Sequence, residues 1–493
     1  ELARIRIPPR IESEEKLSHY LYDTLHHPAD PFLMKGMDKA VSRILQAIDQ
    51  HEKIVVYGDY DVDGITSTSI MMRCLSSLGA DVGYYIPQRE KEGYGLNREA
   101  VNHLAEEGYH LLITVDCGIS SAALISEAPK GLDIIVTDHH TPPELLPSCV
   151  AVLNPHQKDC PYPYKELAGC GVAYTLCRGL YMKRLGRDYD GTVELAALGT
   201  IADVVSLTGE NRILVKEGMK RFIHTPIKGL AALLKASGIV HDDTTEIRRA
   251  DQVSFGLAPR LNAAGRIARA SEGVRLMTTE SAEEAERLAQ KRCEINTMRQ
   301  QIERDIFEQA KSRMAELGIE NDMAVVVDGK DWHPGVIGIV ASRILESCHR
   351  PVFVITVRDG IGKGSCRSIP AFNIYKALSA QSDILLQFGG HKMAAGFSIA
   401  EEKIPELRRR MNRYAASVLT EEDCIPVLDV EEELSLKDVS LDFIHSLDLL
   451  EPCGADNPKP LFAMNHAFVE TARHMGADGR QIKFQISGDR GLE

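Results

Sequence analysis

The chain is 493 residues long, 44% hydrophobic and 26% charged, with a net charge of −14. At roughly 100–200 residues per domain this predicts two to four domains of ordinary globular composition, and no apolar run approaches the roughly 20 residues that span a bilayer. The negative charge weighs against a broadly basic nucleic-acid surface, although local clusters count for more than the sum. Residues 1–10 hold no apolar signal-peptide core, and the missing initiator Met suggests a fragment. None of the 11 cysteines forms a C-x-x-C pair, so they read as reduced, mostly buried thiols of a cytoplasmic protein.

Residues 1–40 are mixed in character. From there to about residue 207, strand and helix patterns alternate. Strands are predicted at 53–57 (KIVVY), 82–86, 111–115 (LLITV) and 133–136 (DIIV), and helices at 66–78, about 97–107 and 120–128. Alternating βα units imply a parallel sheet covered by helices on both faces. Residues 207–280 read as helical, with basic positions at Arg248, Arg249, Arg260, Arg266 and Arg269. Ser281 and Glu284 then form a capping-box pattern, apolar residues recur from Leu288 to Leu317, and Gly318 is a stop signal. A helix of that length would span about 55 Å and suits a connector between two lobes. A second α/β unit begins at 323–327 (MAVVV), has strands near 352–357 and 362–367, and ends near Ile399. From Pro426 onward the pattern is β-rich, with strands at 462–468 and 481–486, and predicts a small β-barrel cut short by the end at Glu493. The expected fold class is therefore α/β, with segments 1–40, 41–240, 241–318, 319–420 and 421–493.

Three predicted strands run into acidic or histidine residues. The first leads to Gly58-Asp59-Tyr60-Asp61-Val62-Asp63-Gly64, the second to Asp116-Cys117-Gly118 and the third to Asp138-His139-His140. Asp203 follows the apolar run 195–202. Any one of these alone is more economically a turn. Together they would crowd carboxylates and imidazoles at the carboxyl edge of one parallel sheet, where ligands bind, and they would repel one another unless cations neutralised them. Asp and His ligands without Cys suit Mn²⁺ or Mg²⁺ better than structural zinc, and there are enough of them for two ions, the usual device for phosphoryl-ester hydrolysis.

YGDYDVDG, VDCG, VTDHH and LGTIADVV, in that order, resemble the four motifs of the DHH phosphoesterases. On this resemblance Asp61, Asp63, Asp116, His139 and Asp203 are metal ligands and Asp116 bridges. His140 contacts the scissile phosphate or polarises the water, and Asp59 and Asp138 orient ligands through hydrogen bonds. WHPGVIGIVASR (332–343), GKGSCRS (362–368) and GGHKMAAG (389–396) resemble the second lobe of the RecJ family, as do QREKEGYG (88–95) and APRLNAAGR (258–266). The resemblance implies a parallel-sheet DHH lobe and a smaller α/β DHH-associated lobe joined by the long helix, plus a partial oligonucleotide-binding (OB) β domain. Arg89, Arg260, Asn262, Arg266, Ser365, Arg367 and His391 are then substrate-binding residues. Gly-rich turns let backbone amides, a hydroxyl and a guanidinium approach phosphate. One departure is Cys366, which stands where the family usually has Gly and would put a side chain in the phosphate grip.

The implied activity is metal-dependent 5′-to-3′ exonucleolytic hydrolysis of single-stranded DNA by two Mn²⁺ or Mg²⁺ ions, in repair and recombination. The two lobes would enclose a channel too narrow for duplex. A single-strand-binding protein or a helicase is a candidate partner, and no membrane is involved. Two alternatives remain: a DHH phosphodiesterase for short oligoribonucleotides or cyclic dinucleotides, and a nuclease-dead scaffold. The first is disfavoured by chain length and by the arginine-bearing APRLNAAGR segment, the second by the presence of every candidate ligand.

Overall fold

The computed structural model describes residues 13–22, 29–89, 92–93, 95–241, 243–475 and 481–487. The first ten residues, Glu493, and Glu90, Lys91 and Tyr94 of the QREKEGYG loop lie outside them. Contacts divide the chain into two compact units, residues 1–293 with 429–493, and residues 294–428.

In the first unit, helices α1 (Glu14–Tyr22) and α2 (Met37–Asp49) precede a sheet built from β1 (Ile54–Tyr57), β2 (Val82–Tyr85), β3 (Leu111–Thr114), β4 (Asp133–Thr137) and β5 (Ala151–Leu153). The order is β2-β1-β3-β4-β5 and every pairing is parallel. The short apolar runs IVVY and LLIT are buried on both faces, as a parallel sheet between helix layers demands. Ile54, Val56 and Ile113 join the large core on one face, and Val55, Tyr57 and Leu112 a second core on the other. The connecting helices are α3 (Val62–Ser77), α4 (Arg98–Glu106) and α5 (Ala122–Ser126). The edge strand β5 has no counterpart among the sequence-predicted elements, because three residues are too few to show alternation.

Helix α3 starts four residues before the predicted residue 66. Asp61 accepts the Gly64 N–H at 2.9 Å and so caps the helix early. A helical layer follows: α6 (Gly169–Leu185), α7 (Val193–Asp203), α8 (Gly209–Arg221) and α9 (Lys228–Ala236). A π-helical turn, Gln252–Leu257, runs into α10 (Ala258–Ile267), then α11 (Ser271–Thr278). The long helix α12 (Ala282–Leu317) ends at Gly318, whose φ of 62° is the left-handed stop that glycine allows without strain.

The second unit carries β6 (Val325–Lys330), α13 (Ile337–Cys348), β7 (Val352–Arg358), β8 (Ile361–Arg367), α14 (Ile374–Ser379), β9 (Leu385–Gly390), β10 (Ala394–Ala400) and α15 (Ile404–Val418). Its sheet order is β6-β7-β8-β10-β9, parallel only between β6 and β7. The C-terminal region is β-poor at first: β11 (Glu432–Glu433) pairs with β12 (Phe462–Ala463), with α16 (Leu441–Asp448) between them, and β13 (Phe468–Met475) forms a hairpin with β14 (Gln481–Ser487). The predicted strand at 462–468 is thus split into β12 and the start of β13. Residues 449–457 are fastened to the rest of the first unit by Arg212. Its buried guanidinium donates to the carbonyls of Leu449 at 3.0 Å, Leu450 at 2.8 Å and Pro452 at 3.2 Å. Tyr20 adds a hydrogen bond to Asn457 at 2.6 Å.

Candidate metal centre

The strand order reverses beside β1, with β2 on one side and β3 on the other, and open parallel sheets bind ligands outside the carboxyl ends at such a switch point. Residues 58–64 leave β1 there. Asp59 is buried, Asp61 caps α3, and Asp63 lies in the first turn of α3. The Asp63 carboxylate accepts the N–H groups of Gly169 at 2.7 Å and Cys170 at 2.8 Å, so it sits on the positive N-terminus of α6. Asp116 follows β3 with φ 59°, a left-handed conformation that Asp tolerates better than most residues. Gly169 makes room for it: a Cβ at that position would lie 2.7 Å from the Asp116 Cβ.

Strand β4 delivers Asp138-His139-His140. Asp138 is buried and held from several directions. One carboxylate oxygen accepts the Ile119 N–H at 2.9 Å; the other accepts the His139 and His140 N–H groups at 2.8 and 3.1 Å and faces His140 Nδ1 at 2.7 Å. His139 Nε2 faces Asp116 at 3.2 Å, Asp203 at 3.6 Å and Asp63 at 3.9 Å. Asp203 arrives as the last residue of α7. Three groups of side chains each bring ligand atoms within 4.8 Å of one another: Asp59, Asp61 and Asp116; Asp63, His139 and Asp203; Asp116, His139 and His140. Asp116 is common to the first and third, His139 to the second and third. The arrangement can therefore hold cations at two neighbouring positions with Asp116 between them. It also gives Asp59 the placement of a ligand, beyond the orienting role inferred from sequence, while Asp138 is placed to orient the two histidines.

The electrostatics fit a cation. Burial, reinforced by Asp61, pushes the Asp59 carboxyl up to about 8. Burial with Asp63 and Asp61 pushes Asp203 up to about 9. Asp61 and Asp116 are raised as well, first by burial and then by their acidic neighbours. Burial lowers His139, which keeps its imidazole neutral and able to donate a lone pair. Burial also works to lower His140, but the hydrogen bond and charge of Asp138 outweigh it, so this imidazole is raised. The Asp59 Oδ1 and His139 Nε2 atoms are buried without a hydrogen-bond partner among the described residues. Buried polar atoms without partners are rare and call for an ion or water. With oxygen and imidazole donors and no thiolate, the site fits Mn²⁺ or Mg²⁺.

Tyr60, which sequence reasoning passed over inside YGDYDVDG, organises the rim. The Arg89 guanidinium lies 5.2 Å from its ring centroid, and Arg266 is close enough to act on its hydroxyl electrostatically. A Cβ at Gly265 would come within 2.7 Å of the Tyr60 carbonyl oxygen, so α10 approaches the acidic loop closely. The loop bearing Arg89 is anchored by Glu92, which accepts from Tyr85 at 2.6 Å, Asn97 at 2.9 Å and the Gln88 N–H at 2.6 Å. Arg260 is turned elsewhere. Its guanidinium donates to the carbonyls of Gly256 and Ser237 and braces the π-helical turn. Asn262 is half-buried on α10.

In the second unit, β8 alternates. Gly362, Gly364 and Cys366 are buried, and Ser365 and Arg367 lie half-buried on the other face. The Cys366 side chain is therefore in the core and not in a phosphate grip, which corrects the sequence reading. Gly364 is required because the Phe397 ring occupies the place of its Cβ. Arg367 donates to the Cys366 carbonyl at 2.8 Å, and a Cβ at Gly338 in α13 would lie 2.9 Å from Ser365 Oγ. The motifs WHPGVIGI and GKGSCRS thus meet. His391 is exposed in the β9–β10 turn, where its N–H donates to the Ala394 carbonyl at 2.8 Å, and Ala394 pairs with Arg367.

Residues 53–201 match the DHH family N-terminal domain, 321–417 the DHHA1 domain and 430–492 the RecJ OB domain. A single-stranded-DNA-specific exonuclease RecJ from Dickeya dadantii is 37% identical over 456 residues, which cover 87% of this chain and 78% of that protein. The chain belongs to the RecJ family. The Bacillus subtilis RecJ is 44% identical over 463 residues, 93% of this chain, and the chain spans 58% of its length. The crystal structure of Thermus thermophilus RecJ in complex with Mn²⁺ superposes with a TM-score of 0.81 at 36% identity, covering 96% of this chain and 68% of that one.

Proposed function

We propose that the chain is a metal-dependent exonuclease that hydrolyses single-stranded DNA from the 5′ end by a two-metal mechanism. The observation that carries this reading is the pair of ligand groups sharing Asp116, in a chain whose relatives are named single-stranded-DNA-specific exonucleases. Asp59, Asp61, Asp63, Asp116, His139 and Asp203 would hold the ions, which supply the Lewis acid for phosphodiester hydrolysis. Asp138 fixes the His140 ring and raises its affinity for a proton, so His140 is placed to donate a hydrogen bond to a non-bridging oxygen of the scissile phosphate. Arg89 and Arg266, beside Tyr60, would take a 5′-terminal phosphate, with Asn262 on the same helix as Arg266. Arg260 supports that helix. Ser365, Arg367 and His391, on the second unit, would bind phosphate oxygens of the substrate. A helicase that unwinds duplex, or a single-strand-binding protein that keeps strands unpaired, is the class of partner that would supply its substrate.

The test is a digest of 5′- and 3′-labelled single strands with Mn²⁺, with Mg²⁺ and with chelator. Early release of the 5′ label in metal alone supports the reading. Early release of the 3′ label, or equal cleavage in chelator, overturns it.

A further inference from the structure

A cleft of about 370 Å³ opens in the first unit immediately beyond Asp203. One wall is the end of α7 and its continuation, from Thr200 to Leu207; another is the π-helical turn with Ser254 and Phe255. Residues 451–459, pinned by Arg212, close the third side. Its size is at the small end of ligand pockets, roughly 300–1,000 Å³, and suits one nucleoside.

Two residues at this cleft break ordinary rules. Val204, directly after Asp203, has φ 61°, a conformation that costs a β-branched residue strain, and its side chain is 68% exposed. The Phe255 ring, on an irregular helical turn, is 81% exposed. Neither is explained by packing. Both are explained if they flank a flat apolar ligand. The polar groups of the cleft favour a base over a phosphate: Glu451 is acidic, Asp251 is acidic but paired with Arg249, and Lys459 is the single cation among the lining residues. Helix α7 links the cleft to the metal centre, since Asp203 ends it and a Cβ at Gly199 would lie 3.0 Å from Asp63 Oδ1.

We propose that this cleft is a nucleobase pocket, in which Phe255 stacks on, and Val204 supports, the base of a nucleotide next to the scissile phosphate. The proposal rests on the single-strand nuclease reading and adds to it a place where bases are gripped without sequence preference, as stacking on a π-face allows.

The test uses the full chain with Mn²⁺ and short 5′-phosphorylated oligodeoxynucleotides, intact or carrying one abasic site at successive positions. Wild type should show one position at which loss of the base raises KM by about tenfold, the order of one base–aromatic stack. Phe255→Ala should raise KM on intact strands by the same factor and lose its sensitivity to that position. Phe255→Trp should restore both. Mn²⁺ affinity without DNA and the melting temperature should be unchanged in both variants, since the ring is exposed. If Phe255→Ala keeps the wild-type KM and abasic profile while wild type degrades the strands, the pocket is overturned and the nuclease reading stands. A wild-type chain that leaves intact strands uncut overturns both.

Discussion

The Arg89 side chain is exposed, lies over the Tyr60 ring and acts electrostatically on Asp59. A guanidinium in that position has no ion-pair partner of its own among the described residues, and a charge-assisted hydrogen bond to phosphate is worth about 1.5–3 kcal/mol. Arg89→Ala should therefore raise KM by about tenfold or more on 5′-phosphorylated strands and much less on 5′-hydroxyl strands. Steady-state kinetics on the two substrates check this, and equal losses would remove Arg89 from the end pocket. At this scale the gathering of acidic and histidine side chains was legible in the sequence, because most of them directly follow apolar strands and chemistry restricts which residue types can crowd together there. Tyr60 was not, because a tyrosine in a loop carries no signal until Arg89, Arg266 and Gly265 are seen around it. Nor was the contact that Arg260 makes with the carbonyls of Gly256 and Ser237, which no local pattern announces.

At the scale of elements, the N-terminus of α6 is the part of the site that sequence reasoning missed. Two of its N–H groups hold Asp63, and its first residue, Gly169, lies against Asp116. A side chain there must push Asp116 or the helix aside. Gly169→Val should weaken Mn²⁺ binding by about tenfold or more and lower the melting temperature, overpacking in such a site costing about 1–3 kcal/mol. Titration calorimetry together with a melting curve reads both, and unchanged Mn²⁺ affinity would mean that α6 does not shape the centre. The only signal in the sequence was a small-residue run, Ala168-Gly169-Cys170-Gly171, opening a helix. The place of Cys366 was readable in principle, since strand periodicity puts it on the same face as Gly362 and Gly364. The glycines drew attention to phosphate, whereas Gly364 makes room for Phe397.

For the whole molecule, the unneutralised acidic cluster has a consequence for stability. The Asp59 and Asp203 carboxyls stand at about 8 and about 9 in the folded chain, against about 4 for an unfolded Asp. The folded state thus binds protons more tightly than the unfolded one above about pH 4, and raising the pH toward 9 favours unfolding. The melting temperature of the metal-free protein should fall between about pH 6 and about pH 9, and Mn²⁺ should raise it more at the higher pH because binding displaces those protons. A metal-free melting temperature that is flat or rises over this range would contradict the arrangement. The parallel sheet, the long helix and the second α/β unit were all legible from periodicity and stop signals. What no local pattern announces is that residues 241–293 and 429–493 group by contacts with the sheet, through bonds such as those of Arg212.

A two-cation centre that shares Asp116 is tested most directly by isothermal titration of the metal-free chain with Mn²⁺. The wild type should bind two ions per chain with release of protons, and Asp116→Asn should lose one or both sites while keeping its fold by circular dichroism. Two ions bound with undiminished affinity by Asp116→Asn, or a single ion bound by the wild type, would contradict the account.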